Sequence, residues 1–388
     1  MEIKRHKTLF VLGNFLPQKN AGIENYTFWW ISNLGINIYA EVLIVNRDKP
    51  IEDYYFEGLR VHSISGFDDF KKLDLQQYIF VHFMELSGIS GINSKFFEFA
   101  KLYTKVYFTF HLPYLVCIKG DLRYHEKSNC TGNSILKCGK CILLSSEIQN
   151  SSKFNRLRLY FSNRAEMNQI ITYSDRLFYY ADWFYEFCLE SSFNVNSFKK
   201  VPYLNALELN NNKKKHHKPQ MRLVYVGRIE RQKGLLLVCK ALKMYSEVQL
   251  DVFGNIVDNE YYQLCCNETN FNYMGIVSRD SLMEKLPVYD ALILPSMFSE
   301  MASMVLLQAI LQEIPVIVSS ALGNIELVKN YSKGLVFDYG SYESLNNCIR
   351  QFYKNYDHIN IKINTIKQEE SELTLANEYG LMILNNSI

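Results

Sequence analysis

The chain has 388 residues, more than one ordinary hydrophobic core accommodates, so two domains are expected. Lys plus Arg (42) nearly balances Asp plus Glu (40), which gives no global field to mark a nucleic-acid binder. Apolar residues make up 48% and charged residues 21%, as in a soluble globular protein, and no apolar run approaches the roughly 20 residues that span a bilayer.

The opening "MEIKRHKTLFVLGNFLP" has too short an apolar piece for a signal peptide and runs into a polar loop, so it reads as a first strand. A cytoplasmic protein with its nine cysteines reduced, unless metal holds them, is the expectation. In chain order, "TLFVLGNF", "AEVLIVN", "YIFVHF" and "KVYFTFH" read as strands, with helices at "NYTFWWISNLG" and "SKFFEFAKLY". "QIITYS" and "KKVPYLN" read as the last strands of this half. "NNNKKKHHKPQ" (210–220) reads as a linker.

The second half alternates more cleanly. Strands are expected at "MRLVYVGRI", "VQLDVFGN", "FNYMG", "DALILPS", "PVIVSS" and "GLVFD". Helices are expected at "KGLLLVCKALKMYS", "DNEYYQLCCNET", "SRDSLMEKLPVY", 303–313 and 323–330. Strands that are apolar throughout and alternate with helices imply parallel sheets covered on both faces. The expected organisation is an N-terminal domain (1–209) and a C-terminal domain (221–370), both α/β and doubly wound, facing a cleft. A final helix in 371–388 would pack back on the first domain. In such sheets ligands sit beyond the carboxyl ends of the strands.

One loop at such an end is "VYVGRIERQKGLLL". Gly227 permits close backbone approach. Arg228 can grip phosphate oxygens with two prongs, Lys233 adds a point charge, and the helix that follows presents its positive end. A solvated basic turn is the alternative. Another is "LPQKNAGIENYTF", where Ala21 and Gly22 let backbone approach a ligand, or simply join strand to helix.

Together with "LPSMFSEMASMVLLQAILQEIPVIVSS", the phosphate turn resembles the family 4 glycosyltransferases, retaining enzymes of the GT-B fold that use nucleotide-sugar donors. The matching residues are Gly227, Arg228, Lys233, Gly234, Pro295, Ser296, Glu300, Ala309, Pro315 and Val316. "ALGNIELV" keeps the family's Gly323 and Glu326, "AGIE" keeps Gly22 and Glu24, and "TFHLP" carries His111. The resemblance implies that Arg228 and Lys233 bind the diphosphate and stabilise the departing nucleoside diphosphate. It implies that Glu300 accepts from sugar hydroxyls, helped by the N–H groups of Ala302 and Ser303. Residue 308 would hold the ribose and His111 would lie near the transferred sugar. Closure would bring Gly22 and His111 over that sugar. No catalytic metal is implied.

Two positions depart from the pattern. The family's second Glu is Gln308, which accepts with one end of its amide and donates with the other. The Gly-rich segment after Glu300 is Met301–Ala302–Ser303, where the Met301 side chain would crowd the sugar or reshape donor choice.

Four of the nine cysteines, Cys117, Cys130, Cys138 and Cys141, fall in a polar insertion (112–145) with too few apolar residues for a core. Their spacing fits a structural tetrahedral zinc site, with free thiols or a Cys138–Cys141 redox pair as alternatives. A subset of the resembling enzymes carries a similar insertion after the same His. The insertion is expected to rim the cleft and shape the acceptor site. "KFNRLRLYFSNRAEMN" mixes Lys153, Arg156, Arg158 and Arg164 with aromatic and aliphatic residues. It fits either a peripheral helix on an anionic membrane or an internal packing segment.

The expected function is sugar transfer from a nucleoside diphosphate sugar to a glycan or lipid-linked acceptor, in surface polysaccharide synthesis, with no nucleic-acid partner. The alternatives are a nucleotide-sugar epimerase or hydrolase, and a catalytically weak paralogue serving as a binding subunit.

Overall fold

The computed structural model describes residues 6–19, 22–32, 34, 37–47, 51–86, 91–111, 113–117, 122–124, 128–130, 132, 134–144, 153–201, 221–268 and 271–354. These fall into two compact units, one ending at Val201 and one beginning at Met221. The expected linker (210–220) and terminal helix (371–388) lie outside the described residues.

The first unit comprises β1 (His6–Leu12), α1 (Gly22–Ser32), β2 (Ile38–Val45), β3 (Tyr54–Phe56), β4 (Leu59–Ile64), α2 (Phe67–Phe70) and β5 (Tyr78–Phe83). Then follow α3 (Ser94–Lys101), β6 (Lys105–Thr109), β7 (Arg123–Tyr124), β8 (Ser128–Asn129), α4 (Ile135–Leu144), α5 (Lys153–Tyr173), β9 (Arg176–Tyr179), α6 (Asp182–Glu190) and β10 (Phe198–Lys200). Its main sheet runs β10-β9-β6-β5-β1-β2-β4-β3, parallel except for the antiparallel edge pair β3–β4. Strands buried on both faces explain the unbroken apolar runs: Leu9 to Leu12 and Val42 to Val45 are all buried. Aromatic rings fill much of this core, among them Phe83 stacked on Phe97 at 4.0 Å.

The expected strand "QIITYS" is instead the last turn of α5, a helix of 21 residues. Ile170 and Ile171 favour strands locally, but both are buried in a helix that packs on α3, and that burial overrides propensity. The strand that follows α5 is β9, and β10, after α6, covers only the start of "KKVPYLN".

The second unit comprises β11 (Met221–Val226), α7 (Leu235–Leu242), β12 (Val248–Phe253), α8 (Asn259–Cys266), β13 (Phe271–Gly275) and α9 (Arg279–Lys285). Then come β14 (Ala291–Leu294), α10 (Met304–Leu311), β15 (Val316–Ser319), α11 (Ile325–Lys329), β16 (Gly334–Phe337) and α12 (Tyr342–Lys354). The sheet order is β13-β12-β11-β14-β15-β16, every pair parallel. Within the unit this is the 3-2-1-4-5-6 order of a doubly wound sheet, whose direction of winding reverses between β11 and β14. One core cluster packs around Leu223, Val238 and Ile349, and another around Val224, Leu292 and Leu306.

Candidate donor site at the strand crossover

The two loops that leave β11 and β14 emerge side by side where the winding reverses. The first carries Gly227, Arg228 and a short 3-10 turn over Arg231–Lys233. It ends at Gly234, whose left-handed backbone (φ 73°) starts α7. An added Cβ there would stand 2.0 Å from the Pro295 carbonyl oxygen, so this turn presses directly on the second loop. Met297 N–H also donates to the Gln232 carbonyl at 2.7 Å. The Gly227 amide donates to Phe253 O, and a Cβ on Gly254 would meet the Gly227 carbonyl oxygen at 1.9 Å. The close approach expected at Gly227 therefore falls on its neighbour strand.

This packing brings Lys233 to Glu300. Their Nζ and Oε1 stand 2.8 Å apart, with side chains 19% and 10% exposed. Ser296 donates its hydroxyl to the same carboxylate oxygen, and the Phe298 ring lies 5.0 Å from the ammonium. A charge pair this enclosed resists screening and holds both groups in one geometry. Arg228 is more open, 57% exposed, and pairs with Glu230 at 2.9 Å.

One of the two expected backbone donors, Ser303, is otherwise engaged, as is the start of α7. Ser303 N–H donates to Asn324 Oδ1 at 3.0 Å, and the Asn324 amide returns a bond to Ser303 O. At α7, Leu236 N–H is taken by the Tyr261 hydroxyl and Leu237 N–H by Gly234 O, which narrows the anion-binding capacity of that helix end. Ser303 caps α10, its Oγ accepting from Leu306 N–H. Gly323 lies against the 300–301 backbone so closely that a Cβ would stand 2.1 Å from Glu300 O, so no side chain fits there. Met301 is buried, and Ala302 is half-buried.

Gln308 lies on α10 and is 5% exposed, and its Oε1 is buried with no hydrogen-bond partner. A buried amide oxygen without a donor is costly, on the order of 1–3 kcal/mol, unless something supplies a proton. A ligand hydroxyl would do so.

Gly22 and His111 belong to the first unit. Gly22 opens α1, exposed, with nothing within 4 Å of an added Cβ. His111 follows β6, and its Nδ1 lies 3.3 Å from the Tyr180 hydroxyl. Tyr26 meets it edge-on at 5.4 Å, and Nε2 is buried without a partner. Burial pushes its pKa down to about 3, so the imidazole is neutral near pH 7. The loop after β1 adds a group that composition did not reveal: Lys19 Nζ lies 2.8 Å from the fully buried Glu24. Asn324 and Tyr180 likewise carried no signal in sequence, since each acts by a contact between distant segments.

Residues 208–368 match the family model described as Glycosyl transferases group 1. Solved structures similar over almost the whole chain include a glycosyltransferase from Rickettsia africae, at 15% identity and TM-score 0.67 over 99% of this chain and all of that one. HepE from Anabaena, solved with UDP and glucose, aligns at 13% identity and TM-score 0.66, again over 99% and 100%. Sucrose-phosphate synthase from Thermosynechococcus elongatus aligns at 13% and 0.63, over 98% and 100%. No curated protein matches. The fold is GT-B, two Rossmann-like parallel-sheet α/β domains. The likeness to the group 1 family falls on the second unit, and over the full chain the likeness is one of fold.

Proposed function

We propose that the protein is a retaining glycosyltransferase that moves a sugar from a nucleoside diphosphate sugar to a glycan or lipid-linked acceptor in surface polysaccharide synthesis. The observation that carries this reading is the enclosed Lys233–Glu300 pair at the crossover of the second sheet. Lys233, with Arg228, neutralises the diphosphate and the charge that builds on it as the glycosidic bond breaks. Glu300 accepts from the sugar hydroxyls once the donor's own groups enter, and Gln308 accepts from a ribose hydroxyl. Similar folds solved with UDP, or with UDP-glucose, support a uridine nucleotide as the first candidate. No protein nucleophile is needed if a donor phosphate oxygen takes the acceptor proton on the face of departure. Acceptor recognition falls to the first unit, near His111 and its Tyr180 partner.

The test is a thermal-shift series with UDP, GDP, dTDP and ADP, followed by transfer from the matching sugar donor. One nucleotide raises Tm by several degrees at saturating concentration, and Lys233→Met removes that rise. Product NMR then reads retention at the anomeric carbon. If none of the four nucleotides shifts Tm, the reading fails.

Gln308 favours a second reading, a weakly catalytic subunit that binds donor. Normal donor affinity with no transfer, and transfer gained in Gln308→Glu, would support it.

The α4–α5 surface extends the proposal to a peripheral location on an anionic membrane. Leu136 (88% exposed), Ile135, Phe154 and Phe161 stand open beside exposed Lys140 and Arg158. Phe154, Arg158 and Phe161 share one face of α5 by their spacing. Arg156 and Arg164 do not join it. They bond to Ile142 O and Ser191 O, inside the unit.

A further inference from the structure

Among the described residues between β6 and α5 are a 3-10 turn (Pro113–Leu115), the two-residue strands β7 and β8, and α4. The described apolar residues there that reach full burial are Pro113, Val116, Leu122 and Ile142. Small units with few buried apolar side chains are commonly fixed by cross-links or metals.

Four cysteines fall in this stretch on three separate pieces. Cys117 follows the 3-10 turn, its N–H donating to Pro113 O at 2.8 Å. Cys130 follows the β7–β8 pair, its N–H donating to Leu122 O at 2.7 Å. Cys138 and Cys141 are three residues apart on α4 and so share a face. Cys117, Cys130 and Cys141 all lie within electrostatic reach of Cys138, and all four are half-buried. The sulphurs are not drawn tightly together: among the described residues, no three His, Cys, Asp or Glu form a group that could hold a metal ion.

We propose that Cys117, Cys130, Cys138 and Cys141 close on one zinc ion, which pins α4 and the β7–β8 pair to the rest of the first unit. Each ligating thiol releases its proton to water, leaving four thiolates around Zn²⁺ with net charge −2. Lys137 and Lys140, flanking the pair on α4, offset that charge. The sulphurs must move in to about 2.3 Å from the metal. Four thiolates fill a tetrahedral shell, so the ion takes no part in sugar transfer.

The test needs no activity assay. Protein purified under reducing conditions is analysed for zinc, then titrated with a mercurial while a zinc-sensitive dye reads release. The expected result is close to one zinc per chain, freed as four thiols react. Cobalt(II) substitution gives the absorption of a tetrahedral thiolate site, and Cys138→Ser with Cys141→Ser abolishes binding. Because those variants could fail to fold, the release titration on the unaltered chain decides the matter by itself. Protein that carries no zinc and takes up none when zinc alone is added overturns the proposal. So does a Cys138–Cys141 disulfide forming without metal.

Discussion

Gln308 is the residue on which donor affinity turns. In the proposed role its buried Oε1 would accept one ligand hydroxyl, whereas its amide nitrogen only donates and so could not serve a second hydroxyl as an acceptor. Replacing it with Glu restores two acceptors and a charge. Gln308→Glu is expected to tighten nucleoside diphosphate binding about five- to tenfold, near 1 kcal/mol, by calorimetry. The gain should shrink with a 2′-deoxy nucleotide. An equal gain for both nucleotides would show that residue 308 does not face the ribose. In the proposed role Lys233 would serve both the bound diphosphate and the charge that builds on it in the transition state. Lys233→Met is expected to lower kcat/KM by about 10²- to 10³-fold. It also strands the Glu300 carboxylate, so unfolding must be measured alongside. Gly234→Ala adds a different load. A left-handed residue with a Cβ loses roughly 1–2 kcal/mol from the backbone alone. The contact with Pro295 O adds to that, and both should appear as a lower urea midpoint.

At the scale of elements, α4 and α5 pose a solubility problem that a membrane would solve. Fully burying a phenylalanine is worth about 1.5–3 kcal/mol, so two removed together should weaken binding by well over tenfold. Phe154→Ser with Phe161→Ser is therefore expected to abolish co-sedimentation with vesicles containing anionic lipid, and raised salt should weaken what the parent protein shows. Equal sedimentation of parent and variant would place the contact elsewhere. The same two helices show how far local pattern can mislead. "QIITYS" looks like a strand because β-branched residues cluster, yet it closes a 21-residue helix. By contrast α12 is legible in the sequence: Leu345, Cys348, Ile349 and Phe352 recur at helical spacing and all are buried.

For the whole molecule, buried histidines tie stability to pH. His82 is fully buried among Phe10, Trp30 and Phe178, bonded to Thr109 Oγ1 at 2.8 Å, and burial holds its pKa well below 6.5. His111 is pushed to about 3. Unfolded, both titrate near 6.5, so below that pH the unfolded chain binds more protons than the folded one. Their contribution is intact above about pH 6.5 and is lost progressively as pH falls toward 3. The slope per shifted group approaches about 1.4 kcal/mol per pH unit. Urea midpoints at pH 7 and pH 5 should show the drop, and His111→Phe should show a smaller one.

Sequence alone determined the alternation of strands and helices in the second unit. Strands buried on both faces must be apolar throughout, and that demand is written residue by residue. It also determined the turn that begins a helix at Gly234 and the acid at 300. What only the tertiary structure decided was which groups are already spoken for. The Lys233–Glu300 pair joins positions 67 residues apart. It exists because β11 and β14 are neighbours in a 3-2-1-4-5-6 sheet, and strand order leaves no mark on local periodicity. For the same reason the Ser303 amide, free on paper, is held by Asn324, while Gln308 Oε1 is buried without a partner.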